Sequence, residues 1–97
     1  MISRHWIGTV RHDKEQDYLH HLDTIVLPNL ERTSGVKNAY YLKRQVKEGV
    51  EFLIVTEWQT VEAIISFAGE DYENAVVDDY AKSLMVTFEK RVRHYTI

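Results

Sequence analysis

The run Phe52-Leu53-Ile54-Val55-Thr56-Glu57-Trp58-Gln59-Thr60-Val61-Glu62-Ala63-Ile64-Ile65-Ser66-Phe67-Ala68-Gly69 decides the fold of this chain. Its first seven residues are β-branched, aromatic or aliphatic apart from Glu57, which reads as a strand. With no Gly or Pro between, Val61, Ile64, Ile65 and Ala68 then recur at i, i+3, i+4 and i+7, one face of a helix. Thr60 supplies an N-cap, and Glu62 suits the positive end of the helix dipole. Gly69 closes the helix in a left-handed conformation. Glu70-Asp71-Tyr72-Glu73-Asn74-Ala75 is expected to start a second helical piece.

Working outward, Ile2 to Val10 reads as a first strand. One of its faces carries Ile2, Arg4, Trp6 and Gly8, the other Ser3, His5, Ile7 and Thr9. Polar and apolar residues mix on both, so the pattern leaves the buried face open. Asp13-Lys14-Glu15-Gln16 fits a capping box. The helix it predicts carries Tyr18, Leu19, Leu22, Ile25, Val26 and Leu30 on one side. Pro28 cannot donate to the helix ladder, so a kink or an end is expected there, with Thr33-Ser34-Gly35 as the exit.

Val36 to Gln45 is a second strand, and Lys47-Glu48-Gly49 a hairpin turn into Phe52–Trp58. Tyr72, Ala75, Val76 and Tyr80 keep helical spacing, which predicts a short extra helix. A last strand is expected from about Leu84 to Ile97. The plan is β-α-β-β-α-β, an α+β ferredoxin-like fold. Right-handed crossovers give a four-stranded antiparallel sheet of order 4-1-3-2, with both helices on one face. The other face would be an exposed apolar patch, and self-association is the simplest cover.

Composition agrees with one globular domain spanning residues 1–97: 44% of residues are apolar and 28% charged. A net charge of -3 and the lack of a basic run argue against nucleic acid. No apolar stretch approaches the ~20 residues of a membrane helix, and Met1-Ile2-Ser3-Arg4-His5 is no signal peptide core. The default expectation is cytoplasmic. The absence of cysteine excludes disulfides and thiolate chemistry.

Of five histidines, His20 and His21 lack a partner at metal-binding spacing, and no metal site is expected. His5 and His94 lie near the outer ends of neighbouring antiparallel strands, within a residue or two of each other. They read either as hydrogen-bonded sheet histidines or as a general base or proton donor in a pocket. Trp6 and Trp58 are either core or a flat wall for an aromatic ligand. Phe67 flanks the apolar stripe of its helix, where it can face a cavity. Tyr72 either packs or offers its hydroxyl to a ligand. Glu70-Asp71 and Asp78-Asp79 read as caps and solvated faces. No phosphate loop, nucleophile elbow or zinc motif is present.

The Trp58-Gln59-Thr60-Val61-Glu62-Ala63 step, the Phe67-Ala68-Gly69-Glu70-Asp71 stretch and the Val92-Arg93-His94-Tyr95 ending resemble antibiotic biosynthesis monooxygenase-like domains of the dimeric α/β-barrel superfamily. The resemblance spans essentially the whole chain. It implies a homodimer closed sheet to sheet, each subunit with a pocket between sheet and helices. Some members oxidise aromatic polyketide quinols with O2 and no cofactor; others degrade haem. The haem-degrading members need a Trp and a later His where this chain has Phe67 and Val77, which argues against haem. A Tyr-Tyr-Pro-Glu-Asp run of close relatives is replaced by Val77-Asp78-Asp79-Tyr80-Ala81. Trp58 and Tyr72 are the nearest matches in kind to the pocket residues of quinol-oxidising members. The resemblance thus points to a cofactor-independent monooxygenase-like enzyme for an apolar aromatic molecule, with Trp58, Phe67, Tyr72 and Trp6 around it and His94 or His5 moving protons. The competing expectation is a non-catalytic dimeric module that binds a small ligand.

Overall fold

The computed structural model describes residues 1–97. Five strands form one antiparallel sheet: β1 (Ile2–Val10), β2 (Val36–Gln45), β3 (Val50–Trp58), β4 (Met85–Phe88) and β5 (Arg93–Thr96). The order is β2-β3-β1-β4, with β5 also on β1. The expected 4-1-3-2 order is therefore present, in an open sheet whose last strand is broken in two. Phe88 stands opposite Gly8 and Arg93 opposite His5, so residues 89 to 92 face only Trp6 and Ile7. Glu89 makes the break. Its carboxylate, rather than a backbone carbonyl, accepts the Ile7 N–H at 2.9 Å. The displaced residues find other partners: the Ala75 N–H donates to the Lys90 carbonyl, and the Val92 N–H to the Glu73 carbonyl.

The first helical region also departs from expectation. Asp13 does not cap a helix; it lies inside a 3-10 turn (His12–Lys14), and α1 (Glu15–His21) begins without a side-chain cap. The chain stays helical past Pro28, through a wide turn (Leu22–Val26) into α2 (Leu27–Glu31). In that wide turn the Leu27 N–H reaches back five residues to the Leu22 carbonyl. The extra residue makes room for the proline ring, and Pro28 falls in the first turn of α2, where a missing donor is tolerated. Gly35, at φ +91°, then turns the chain into β2.

Helix α3 (Val61–Ala68) is capped as expected, with the Thr60 hydroxyl accepting the Ala63 N–H at 3.2 Å. Gly69 has a positive φ of 95° but an extended ψ of 176°, so it ends the helix without entering the left-handed helical region. Glu70 to Ala75 is not helical. The carbonyls of Tyr72 and Asn74, which a helix there would use, accept from Arg4. The short helix comes later, as α4 (Asp79–Leu84), with Asp78 as its cap: Oδ1 accepts the Ala81 N–H at 2.7 Å.

Trp6, Phe52 and Ile54 of the sheet pack against Tyr18 and Leu22 of the first helical region and Ala81 and Leu84 of α4 in one core. The helices thus cover the face of β1 that carries Arg4, Trp6 and Gly8. The opposite face, with Leu42 58% exposed and Tyr40 38% exposed beside Leu53, receives no helix. No helix is long and apolar enough to cross a membrane.

Candidate functional site

A cavity of about 230 Å³ lies between the sheet and the helices, and 12 of its 17 lining residues are hydrophobic. Trp6 and Ile54 form its floor. Tyr18, Leu22 and Val26 of the first helical region, Phe67 of α3, and Val77 and Val92 also line it. The polar contribution is small: Arg4, Thr56, Asn29, Thr33, Asp78 and the Tyr18 hydroxyl.

Strand pairing sets these groups in a row. Arg4 is opposite Thr56 across β1 and β3, and opposite His94 across β1 and β5. Directly opposed residues of an antiparallel pair share a face. Arg4 is only 5% exposed, yet no carboxylate of the chain pairs with it. Its Nη1 donates to the Tyr72 carbonyl at 2.5 Å and to His94 Nε2 at 3.0 Å, and its Nη2 to the Asn74 carbonyl at 2.7 Å. The Phe67 ring centroid lies 5.8 Å from the guanidinium carbon. Burial lowers the Arg4 pKa to about 10, which still leaves it a cation at neutral pH.

His94 sits behind Arg4 rather than in the cavity wall. A guanidinium only donates, so Nε2 accepts and the ring proton is assigned to Nδ1, a buried atom with no partner. Its pKa is lowered by burial first and by Arg4 second, with Glu73 opposing. The Tyr72 ring meets it at 5.3 Å, tilted by 59°; Tyr72 does not line the cavity as expected and touches the site through its carbonyl, which accepts from Arg4. His5 is one register step away, opposite Arg93, and one step moves a side chain to the other face of the sheet. There it hydrogen-bonds Ser3 Oγ at 2.8 Å and meets the Tyr95 ring at 4.9 Å.

Trp6 and Phe67 line the cavity. Trp58 does not: it is fully buried beneath Phe67, with ring centroids 5.2 Å apart. Its Nε1 donates to Thr56 Oγ1 at 2.7 Å. That bond fixes Thr56 as the acceptor and leaves its hydroxyl hydrogen free.

Four contributors escaped the sequence reading, the first being Thr56, visible only as a strand residue. Arg4 shares a strand face with Trp6, and that shared parity was the one available signal. Tyr18 was visible only as an apolar helix position; burial raises its pKa, with Asp78 adding to the effect. Asp78 lines the cavity while its Oδ2 accepts from His21 Nε2 at 2.8 Å. Burial works to raise the Asp78 carboxyl, but the Ala81 N–H and His21 outweigh it and hold the pKa below the ordinary range. No cluster of three or more His, Cys, Asp or Glu residues is arranged for a metal ion. Phe67 and Val77 both line the cavity, no histidine does, and this wall offers no imidazole to a haem iron.

No protein-family model matches the chain, and no curated protein matches it. Solved structures do. A proposed antibiotic biosynthesis monooxygenase from Deinococcus radiodurans superposes with a TM-score of 0.70 at 15% identity, covering 100% of this chain and 92% of that one. A second, from Bacillus cereus, gives 0.61 at 13% identity, with 98% and 89% covered. At such identities the likeness is one of fold: along its whole length, this chain folds as these antibiotic biosynthesis monooxygenase-like structures do.

Proposed function

We propose that the chain is a homodimeric oxygenase that acts on an apolar aromatic small molecule without a cofactor. The observation that carries this reading is the cavity itself, walled by Trp6 and Phe67 and lined mostly by hydrophobic side chains. Such a site excludes water and strengthens the few polar interactions inside it. In the implied reaction a ring methylene becomes a carbonyl. The substrate first loses a proton from carbon, and the resulting anion reduces O2. Overall the carbon gives up two hydrogens and four electrons; one oxygen atom stays on it and the other leaves as water. Arg4 and Thr56 would hold the developing negative charge. Asp78, the one carboxylate lining the cavity, would take up the proton with its basicity reduced by the Ala81 N–H and His21, and His94 acts only through Arg4. Dimerisation would use the uncovered sheet face.

A second reading has its own support. No histidine lines the cavity, which suits a module that binds an aromatic ligand without turning it over. O2 uptake measured against a panel of anthrones and aromatic quinols separates the two. Turnover of any member, abolished in Asp78→Asn or Arg4→Gln, supports the enzyme. No uptake with the whole panel leaves the binding module.

A further inference from the structure

We propose that the cavity selects an aromatic oxyanion, a carboxylate or a phenolate, and that Arg4 with the Thr56 hydroxyl is its binding site. The inference rests on the reading of the cavity as the ligand site and adds the charge of the ligand to it.

Four observations converge. Arg4 is a buried cation, and the chain supplies it with no counter-charge. Burying an unpaired charge is costly, so a fold that keeps one there gains when an anion arrives. Next, the guanidinium is held on one side only. Nη1 is fully engaged by Tyr72 and His94, and Nη2 gives one hydrogen to Asn74. Nε–H and one Nη2–H meet no acceptor in the chain, and Nε with Nη2 makes the edge of the fork that can grip a carboxylate.

The third observation is Thr56, opposite Arg4 in the ladder and on the same cavity. Because Trp58 donates to its oxygen, its own hydrogen is free to donate to a ligand. The fourth is Phe67, which lines the same cavity with its ring centroid 5.8 Å from the guanidinium carbon. Together with Trp6 on the same cavity, it gives an aromatic ring an apolar contact while its oxyanion reaches Arg4. The carboxylate that also lines the cavity, Asp78, is engaged by the Ala81 N–H and His21, and is not bonded to Arg4.

The test compares 2-naphthoate with its neutral isostere 2-naphthamide by calorimetry on the intact protein. 4-Nitrophenol, titrated by absorbance in the presence and absence of protein, reads the phenolate arm. Wild type should favour naphthoate over the amide by about ten-fold or more, as a charge-assisted pair demands. Bound nitrophenol should ionise at lower pH than free. A response in one arm alone names the oxyanion the site accepts and supports the proposal. In Arg4→Gln, checked for folding by circular dichroism, the preference should vanish; in Arg4→Lys it should survive in part. Equal binding of acid and amide by wild type, with an unmoved nitrophenol titration, overturns the oxyanion site and leaves the cavity reading intact. Failure of every probe to bind at millimolar concentration overturns both.

Discussion

Arg4 Nη1 lies 3.0 Å from His94 Nε2, across a directly opposed strand pair. Burial, with that contact second, favours the neutral imidazole in the folded protein. Burial and the Arg4 charge lower the His94 pKa, and only Glu73 pulls the other way. The Tyr72 ring packs against it. In the unfolded chain the same ring takes up a proton at the ordinary histidine value of about 6.5. The unfolded state therefore binds more protons as pH falls through that value, and stability falls with it. The contribution is complete above the ordinary value and is lost on acidification toward the lowered one. His5, lowered by burial and then by Arg93, has the same sign. Thermal unfolding midpoints should drop on going from about pH 7.5 to 5.5. The drop should be smaller in His94→Gln and smaller still when His5→Gln is added. An undiminished drop in the double variant would show that these rings are not depressed.

Gly35 connects the first helical region to β2 and touches α3. A Cβ built on it would lie 2.4 Å from the Ala63 Cβ, and its φ of +91° disfavours any side chain. Gly35→Ala should therefore destabilise by roughly 1–3 kcal/mol in chemical denaturation. Ala63→Gly removes the steric component, at a helix cost of its own of about 1 kcal/mol. In the double variant part of the loss should return, with the backbone strain remaining. Full additivity of the two losses would mean the close approach is not real.

What could be read from the sequence was local in origin. Phe52–Trp58, the Thr60 cap and the Val61–Ala68 stripe are set by neighbours within four residues, and they stand as expected. The antiparallel order followed from connection lengths and handedness. The breaks did not. Glu89 splits the last strand because its carboxylate takes the Ile7 N–H, while Glu73 and Ala75 take the backbone groups of Val92 and Lys90 and Arg4 takes the carbonyls of Tyr72 and Asn74; these partners meet only in three dimensions. For the same reason Glu70–Ala75 has no helix. The buried face of β1 could not be chosen because its cavity side carries a charge, Arg4, among apolar residues. His5 and His94 were expected near each other, and they are; the single register step that sends them to opposite faces has no sequence signature.

The uncovered sheet face carries Tyr40 and Leu42 on β2 beside Leu53 and Val55 on β3, in register as Tyr40–Val55 and Leu42–Leu53 pairs. Leu42 is more than half exposed in the single chain. If a second copy covers this face, wild type sediments as a dimer at micromolar concentration. Leu42→Glu would then bury an unpaired carboxylate at the interface and weaken the dimer by about ten-fold or more. Circular dichroism of the variant should be unchanged, since the side chain is outside the core. A wild-type subunit that sediments alone would end the dimer proposal.

Trp58 supports the cavity without touching a ligand. Its indole N–H fixes the Thr56 hydroxyl at 2.7 Å, and its ring underlies Phe67 at 5.2 Å. Trp58→Phe keeps an aromatic body and removes the donor. Losing one buried hydrogen bond costs about 1 kcal/mol, and the smaller ring leaves a void that adds to it, so a total near 1–3 kcal/mol is expected. The more specific consequence lies at Thr56. Without the indole its hydroxyl can rotate and accept from Arg4 Nε–H, occupying the edge assigned to the ligand. Naphthoate affinity should then fall in Trp58→Phe while naphthamide affinity holds. Thr56→Val in the Trp58→Phe background removes that competing acceptor and should restore part of the preference for the acid. Were both probes to weaken equally in Trp58→Phe, the indole would be acting only through the shape of the cavity, and its hydrogen bond to Thr56 would have no part in selecting charge.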